Sequence, residues 1–294
     1  MTTPTVTGIR SVELETTGRC QLNCRHCCTS SGPKAPAGTM TRQDWLDAIT
    51  DIAELGIPAV QFIGGEPTLA PYLPQYIDYA LGLGLKVEVY SNLTHIRPRL
   101  WEAFQRPGVR LATSYYSDQA QQHEHITNGP GSYRRTRENI VEAVRRGIPL
   151  RVGIVAVLEN QRVAEAQEQL RQLGVTSIQV DRVRKVGRGA APGTSIPSTS
   201  ELCGNCFRHR MSITPDGQVS GCILSRFLVA GNVREQRLAD ILAAERWQQL
   251  TDAVPMPRTA CTPDDSGDCD PANTEACDPA YYAPAPTPIL GVTA

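Results

Sequence analysis

Six short apolar segments alternate with amphipathic segments between residues 12 and 183, and this alternation is what most constrains the fold. The apolar segments are rich in Val and Ile and alternate little, which fits burial on both faces of a parallel sheet. Right-handed crossovers place the helices outside and curl six such units into an open barrel. We therefore predict an α/β fold, a partial (β/α)6 TIM-like barrel. The predicted strands are residues 12–15, 59–63, 86–90, 110–114, 149–158 and 178–183.

The composition changes after the sixth unit. Residues 187–201 are rich in Gly, Pro, Ser and Ala, which predicts a linker. Beyond it, Pro215-Asp216-Gly217 lies between two short apolar segments and predicts a hairpin, and one helix is predicted over 238–250. We expect the Pro- and Asp-rich end of the chain to need cysteine ligation for order. The predicted division is a core over 1–190, a small C-terminal cysteine-rich module over 191–262 and a tail over 263–294.

Composition also excludes several classes of protein. The chain has 294 residues and a formal net charge of −1, so no global basic field predicts a nucleic-acid partner. No apolar run approaches the roughly 18 residues that read as a membrane span, and the N-terminus lacks the apolar core of a signal peptide. We therefore expect a cytoplasmic protein without a membrane partner. Ten cysteines in a reducing compartment favour metal binding or catalysis over a disulfide framework.

Three of these cysteines, Cys20, Cys24 and Cys27, form a C-x3-C-x2-C pattern after the first predicted strand. Zinc usually takes four ligands from two parts of a chain, and iron–sulfur clusters usually take four cysteines. Three thiolates on one loop can hold three irons of a 4Fe–4S cube and leave the fourth open to a small molecule. The spacing favours such a redox cluster, with zinc and a disulfide as the alternatives.

A second motif, Gly64-Gly65-Glu66-Pro67, follows the second predicted strand. Glycine lets a backbone approach a ligand closely, and the carboxyl ends of parallel strands carry binding loops. By itself the motif also fits a tight turn with an exposed Glu66. Its position one unit beyond the cysteine loop favours a ligand site.

The two motifs, within six β/α units, resemble the radical S-adenosylmethionine (SAM) superfamily over about residues 10–190. The resemblance implies that the three cysteines hold a 4Fe–4S cluster whose open iron binds the amino and carboxylate groups of SAM. It implies that the four residues of the second motif contact the methionine end of SAM, with Glu66 orienting the ammonium group. Reductive cleavage of SAM would then give a 5′-deoxyadenosyl radical that abstracts hydrogen from a C–H bond.

Other positions match this family in order. Where many relatives carry Thr-Asn-Gly after the third strand, this chain has Ser91-Asn92 and then Leu93. Each of the further predicted contacts also fits a satisfied polar or core position. His26, between two cluster cysteines, either shields the cluster and meets the adenine or is an exposed loop histidine. The further predicted SAM contacts are Ser91, Asn92, Ser114, Arg151 and Val155.

A second group of cysteines lies near the C-terminus, in surroundings that resemble the auxiliary-cluster extensions called twitch and SPASM. Two cysteine pairs there also fit a four-thiolate zinc site. Three other thiols, Cys28, Cys269 and Cys277, fit ligands of a second auxiliary cluster, hydrogen-atom donors in catalysis, or free thiols. The predicted ligands of one auxiliary 4Fe–4S cluster are Cys203, Cys206, Cys222 and Cys261.

Extended members of this family most often modify ribosomally made peptides. Our leading hypothesis is therefore a peptide (RiPP) maturase that forms a cross-link or an epimer in natural-product biosynthesis. It would use a flavodoxin or ferredoxin as electron donor and a leader-binding protein as a further partner. The basic residues Arg182, Arg184, Lys185 and Arg188 fit contact with an acidic peptide or a solvated face.

Two other hypotheses stay open from the sequence. The first ten residues are too short for a leader-binding domain, which keeps a dehydrogenase or epimerase of a sugar or aminocyclitol as the second hypothesis. A non-catalytic iron–sulfur electron carrier is disfavoured, because such a protein has no use for a SAM-binding motif.

Overall fold

The computed structural model describes residues 8–190, 193 and 197–256, and nine strands within these ranges form one sheet. The strands are β1 Ser11–Glu15, β2 Ala59–Ile63, β3 Lys86–Tyr90, β4 Val109–Ser114, β5 Leu150–Ala156, β6 Ser177–Arg182, β7 Arg210–Ile213, β8 Gln218–Ser220 and β9 Gly231–Asn232. Their order is β6-β5-β4-β3-β2-β1-β7-β8-β9. Neighbours among β1–β6 are parallel, and β6 does not close onto β1. The predicted open barrel of six β/α units is confirmed.

Helices connect these strands and cover the outside of the barrel. They are α1 Arg42–Glu54, α2 Leu73–Gly82, α3 Pro98–Phe104, α4 Ala120–Thr127, α5 Ser132–Arg145, α6 Val163–Gln172, α7 Leu238–Ala243 and α8 Glu245–Ala253. The sequence did not predict α4. The single helix predicted over 238–250 is wrong, because Ala244 has an extended backbone with ψ of 145° and separates α7 from α8. No helix in the described ranges is long and apolar enough to span a bilayer.

The two faces of the barrel strands differ sharply in chemistry. Side chains alternate between faces along a strand. In β1, Val12 and Leu14 are fully buried in the hydrophobic core, whereas Glu13 and Glu15 share the opposite face. Glu13 lies 3.7 Å from the guanidinium of Arg210 across the sheet. The barrel therefore has an apolar outer layer under the helices and a charged interior.

The cysteine-rich module continues the sheet of the barrel. β7 pairs with β1 in parallel, with Ser11 opposite Arg210, and β8 and β9 extend the sheet as antiparallel strands. The module also contacts the outer layer, where Arg237 lies 2.6 Å from Asp51 of α1. The domain boundaries predicted above stay a prediction, but one hydrogen-bonded sheet spans both parts.

The segment predicted as a linker is in part a packed structure. Residues 187–189 form a short 3-10 turn, and Arg184 just before it is buried, with a guanidinium nitrogen donating to the carbonyl of Glu201 at 2.8 Å. Arg182 contacts the Glu201 carboxylate at 2.8 Å, and Arg188 donates to backbone carbonyls. Lys185 is exposed, and its amide donates to the Glu201 carboxylate at 3.1 Å. Arg184 and Arg188 are thus engaged within the protein, whereas the side chain of Arg182 is 51% exposed, so contact of this basic group with an acidic peptide stays a prediction.

Candidate functional site

Backbone hydrogen bonds to distant segments hold the cysteine loop after β1. The Cys20 amide donates to the carbonyl of Gly32 at 3.2 Å. The amides of Asn23 and Arg25 donate to the carbonyls of Thr127 and Ile126, at the end of α4, at 3.1 and 3.0 Å. The helix that the sequence did not predict is thus the support on one side of the loop.

On the other side, Arg188 and Gly187 fix the loop near its last cysteines. Arg188 donates through Nε to the Cys24 carbonyl at 2.8 Å and through Nη2 to the Ser31 carbonyl at 2.6 Å. Gly187 has a φ of +57°, and a Cβ there would lie 2.5 Å from the carbonyl oxygen of Cys27. A glycine is therefore required for both conformation and space.

The thiols of the loop are shielded from water and hydrogen-bonded. Asn92 Nδ2 donates to Cys20 Sγ at 3.6 Å, and the Cys27 sulfur lies 3.3 Å from the Thr29 hydroxyl. Burial raises the pKa of Cys20 to about 12, and it raises the pKa of Cys24 to about 12 with a further contribution from the neighbouring thiols. Metal binding must therefore release protons from these thiols, as thiolate ligands always require.

The donor set of this loop fits a cluster better than a single ion. No group of three or more His, Cys, Asp or Glu side chains in the described ranges is arranged to hold one metal ion. An iron–sulfur cube asks for a different arrangement, with each thiolate at its own iron. Three thiols, one amide donor and one hydroxyl donor facing sulfur form a chemically suitable set, so the residues present fit a 4Fe–4S cluster on Cys20, Cys24 and Cys27.

The two glycines after β2 pack directly on the cysteine loop. A Cβ on Gly64 would lie 3.2 Å from the Thr17 amide nitrogen and under 3.0 Å from the Thr17 carbonyl oxygen. A Cβ on Gly65 would lie 2.8 Å from the Gly18 carbonyl oxygen and nearer still to the backbone of Arg19. Both glycines are needed to bring β2 against the segment that leads into Cys20. Their predicted contact with SAM stays a prediction.

Glu66 is fully buried, which contradicts the alternative of an exposed turn residue. Its Oε1 accepts from the Thr68 amide at 3.1 Å and from the hydroxyls of Thr68 and Ser91 at 2.7 Å each. Its Oε2 accepts from the Asn92 amide at 2.8 Å. Burial raises the pKa of Glu66, and these hydrogen bonds oppose that rise. The carboxylate therefore connects the Gly-Gly-Glu-Pro turn to Asn92, and through Asn92 to Cys20.

The segment after β3 explains a difference from the family pattern. Leu93, at the position of the expected glycine, has a φ of +53° and is completely buried. Its amide donates to the Ser91 hydroxyl at 3.0 Å, and its carbonyl accepts from Asn139 Nδ2 at 2.6 Å. The left-handed backbone that a glycine adopts freely is thus kept here by a leucine under strain.

The other predicted SAM contacts lie on the inner face of the barrel. The guanidinium of Arg151 donates to both oxygens of Glu88, at 3.0 and 2.7 Å, and lies 5.2 Å from the centre of the Tyr90 ring. The Ser114 hydroxyl is 3.1 Å from the Tyr90 hydroxyl. Val155 is half-buried on the strand that carries Arg151. Their contacts with SAM stay predictions, and Arg151 is already engaged by a carboxylate.

His26 is half-buried and its ring packs against an aromatic neighbour, which contradicts its alternative as an exposed loop histidine. Its ring meets the edge of Tyr116 at 5.1 Å between centroids, and no described residue hydrogen-bonds its buried Nδ1. Burial lowers the pKa of His26 to about 4, with Arg188 adding to the effect, so the imidazole is neutral near pH 7. Tyr116, which sequence reasoning missed, extends this contact to the ring of His123 at 5.3 Å.

Three thiols of the module form a second buried group. Cys206 is fully buried and hydrogen-bonds the thiols of Cys203 and Cys222, and these contacts together with burial raise its pKa. Phe207 follows with a φ of +64°, and a Cβ on Gly221 would meet the Phe207 ring at 2.6 Å. The structure thus brings together three of the four predicted auxiliary ligands. The predicted ligand Cys261, and Cys269 and Cys277, lie outside the described residues.

Cys28 follows Cys27 directly and is half-buried beside the charged interior of the barrel. Burial raises its pKa, the neighbouring Cys27 thiol, Glu15 and Glu13 add to this rise, and Arg226 opposes it. Glu15 contacts Arg226 through Oε2 at 3.2 Å, and its buried Oε1 has no hydrogen-bond partner among the described residues. The sequence predicted strands that alternate little, and β1 departs from this because the buried Glu13 and Glu15 alternate with Val12 and Leu14.

The fold is an open β/α barrel with thiols on the loop after its first strand and a second buried thiol group in the adjoining module. Together these features define the class of an iron–sulfur protein built on a partial barrel. Residues 14–172 match the Radical SAM superfamily, and residues 203–270 match SPASM, an iron–sulfur cluster-binding domain. The first match covers more than half of the chain, so the protein belongs to the radical SAM superfamily. These two domains imply 4Fe–4S clusters and SAM as cofactors.

Individual relatives act on different molecules. The chain is 29% identical over 182 residues to an AdoMet-dependent heme synthase of Methanosarcina barkeri, covering 61% of this chain and 52% of the relative. It is 26% identical over 236 residues to the mycofactocin maturase MftC of Mycobacterium tuberculosis, covering 70% and 57%. The crystal structure of Streptococcus suis SuiB bound to its precursor peptide SuiA shares the fold, with a TM-score of 0.68, 14% identity and coverage of 81% and 65%. The chain thus spans about half the length of the curated relatives it matches.

Proposed function

We propose that the protein is a radical SAM enzyme that abstracts hydrogen from a C–H bond of a ribosomally made peptide, leading to a cross-link or an epimer. The observation that carries the catalytic part is the hydrogen-bonded path from Glu66 through Asn92 to the sulfur of Cys20. This path ties the motif expected to bind SAM to the motif expected to bind the cluster. The buried carboxylate takes four hydrogen bonds from the turn and from the segment after β3, and so fixes the turn relative to Asn92.

The chain's own residues divide the work of such a site. Cys20, Cys24 and Cys27 would hold the catalytic cluster, which supplies an electron to SAM when both are bound. The packed glycines after β2 hold the turn that we propose binds SAM against this loop, and the half-buried His26 with the buried Tyr116 would shield it from water. Cys203, Cys206 and Cys222 would hold the auxiliary cluster on the module that extends β1.

Two findings support a peptide as the substrate. The mycofactocin maturase is a relative, and the peptide-bound SuiB structure has the same fold over most of this chain. The barrel interior is charged rather than apolar, with Glu13, Glu15, Glu88 and Arg151 on its inner face, as suits a polar substrate. Under this proposal a flavodoxin or ferredoxin delivers the electron, and a leader-binding protein presents the peptide.

The catalytic part is tested by anaerobic reconstitution with iron and sulfide, followed by SAM and dithionite. We expect about eight irons per chain for two 4Fe–4S clusters, and release of 5′-deoxyadenosine. Cys24→Ala should abolish 5′-deoxyadenosine and lower the iron content to about four. Cys28→Ala is the comparison variant: we expect about eight irons and unchanged 5′-deoxyadenosine, and a loss of either would make Cys28 a ligand or a catalytic thiol, the alternatives that the sequence left open. Unchanged 5′-deoxyadenosine from Cys24→Ala would refute the cluster assignment.

A second candidate is an enzyme that acts on a small molecule, for which we propose a sugar or aminocyclitol; the heme synthase shows only that not every relative is named for a peptide. The genes that lie beside this one distinguish a peptide substrate from a small-molecule substrate. A short open reading frame beside it favours the peptide, and incubation of the reconstituted enzyme with that peptide should change the peptide's mass by loss of hydrogen or, in D2O, by uptake of deuterium. Sugar-processing genes and an unchanged peptide would favour the small molecule.

A further inference from the structure

The segment that follows Cys222 reaches back to the catalytic cysteine loop. The Ile223 amide donates to Glu13 Oε2 at 2.6 Å. Arg226, one turn later, contacts Glu15 Oε2 through Nη2 at 3.2 Å and donates through Nη1 to the carbonyl of Thr29 at 3.2 Å. One arginine of the auxiliary module thus binds both the end of β1 and the loop that carries the catalytic thiols.

The residue that Arg226 holds is itself in contact with a catalytic thiol. The Thr29 hydroxyl lies 3.3 Å from Cys27 Sγ and 2.7 Å from the Ser31 hydroxyl. A thiolate bound to iron carries no proton, so the Thr29 hydroxyl must donate to it and accept from Ser31. Hydrogen bonds to cluster sulfurs are among the features that set reduction potentials, because they stabilise the more negative, reduced state.

The arrangement is costly for a purely structural contact. Glu15 is 1% exposed, and its second carboxylate oxygen has no partner among the described residues. A buried carboxylate with one unsatisfied oxygen lowers stability. The protein nevertheless places it where it aligns Arg226 with Thr29, which points to a role in the site rather than in folding.

We propose that Arg226 is a positioning residue that fixes the Thr29 hydroxyl on the Cys27 sulfur, so that the auxiliary module sets the reduction potential of the catalytic cluster. The inference rests on the proposed cluster at Cys20, Cys24 and Cys27 and is independent of the substrate. Without the Arg226 guanidinium, the Thr29 carbonyl is no longer held in place, and the Thr29 hydroxyl moves away from the Cys27 sulfur. The cluster is then harder to reduce, because its reduced state has lost a hydrogen bond.

The test is a redox titration of the reconstituted holoenzyme followed by electron paramagnetic resonance (EPR). The EPR signal that changes when SAM is added identifies the catalytic cluster. Arg226→Lys keeps the positive charge but loses the planar two-pronged contact. Thr29→Val removes only the hydroxyl. We expect each variant to lower the ratio of reduced to oxidised cluster at a given potential about tenfold, which corresponds to about 59 mV for a one-electron couple.

The double variant tests whether the two residues act as one unit. In a Thr29→Val background, Arg226→Lys should shift the potential no further, since its effect passes through the missing hydroxyl. Arg237→Lys is the matched control, because Arg237 also joins the module to the barrel but contacts Asp51 and Glu54 of α1, away from the cysteines. Its potential should equal that of the wild type.

The outcomes separate this inference from the proposed function. A SAM-responsive cluster whose potential is unchanged in Thr29→Val, or unchanged in Arg226→Lys, overturns the positioning role and leaves the proposed function intact. Additive shifts in the double variant also overturn it, since they show that Arg226 acts on the cluster independently of the Thr29 hydroxyl. If the wild-type protein shows no SAM-responsive cluster and no 5′-deoxyadenosine, both proposals fail together.

Discussion

Replacement of Gly65 by alanine tests how tightly the second motif packs on the cysteine loop. The new methyl group would lie 2.6 Å from the carbonyl carbon of Arg19 and 2.8 Å from the carbonyl oxygen of Gly18. Both are backbone atoms, so the strain cannot be relieved by a side-chain rotation. Overpacking that moves backbone costs typically 1–3 kcal/mol. The hydrogen bonds from Gly65 N to Thr17 O and from Glu66 N to Arg19 O, 2.7 and 2.8 Å long, would also stretch. We therefore expect a loss of about 3 kcal/mol.

The assay is denaturant unfolding of the iron-free protein, together with the iron content after reconstitution. Gly82→Ala is the matched control: it lies in α2 with no heavy atom within 4 Å of the added carbon, and we expect it to stabilise the helix by about 0.5–1 kcal/mol. In Gly65→Ala the displaced segment leads into Cys20, so iron content should fall with stability. A Gly65→Ala protein with wild-type stability and iron content would refute the packing argument.

Three further predictions concern buried positions. Leu93→Gly should be about 1 kcal/mol more stable than Leu93→Ala by denaturant unfolding, because alanine keeps the strain at φ +53° and glycine removes it; equal stability contradicts this. Glu88→Gln should cost about 3 kcal/mol of unfolding free energy because it removes the carboxylate that Arg151 holds, and Arg151→Gln added to it should cost little more; additive losses argue against coupling. Burial raises the pKa of Glu15 from 4.5 to about 7 against the opposing effect of Arg226, so the folded protein holds a proton that the unfolded chain has lost. Stability should therefore fall as pH rises from about 4.5 to about 7, by at most about 3 kcal/mol, and Glu15→Gln should flatten that slope in pH-dependent unfolding; an unchanged slope rejects the shift.

The sequence predicted the barrel because its strands carry their own signal. The bounds of β2 and β3 were predicted without error, since short Val- and Ile-rich segments there end at turn residues. α4 was missed because Ala120–Thr127 is polar, with only His123, Ile126 and Thr127 buried. The pairing of β7 with β1 joins residues about 200 positions apart, and no local pattern encodes such a contact.

The candidate site was predictable where it depends on residue type and hidden where it depends on backbone groups. Thiols and consecutive glycines are rare enough that their spacing is informative. The supports of the loop act differently: Arg188 and Arg226 bind main-chain carbonyls, which every residue possesses. Their partners therefore leave no trace in composition. The sequence accordingly gave no sign that Arg184 and Arg188 bind main-chain carbonyls inside the protein.

The Gly-Gly-Glu-Pro turn has a structural role that its expected ligand role does not require. Gly64 and Gly65 leave room for the backbone at residues 17–19, and the Glu66 amide and carboxylate bind Arg19 and Asn92. Each of these contacts faces the cysteine loop rather than open space. A turn that only bound SAM would not need these close contacts with the protein backbone. The same residues fix the position of Cys20, so loss of the motif would remove the support of the cysteine loop. Under the proposed function, SAM binding and the stability of the cluster loop depend on this one turn.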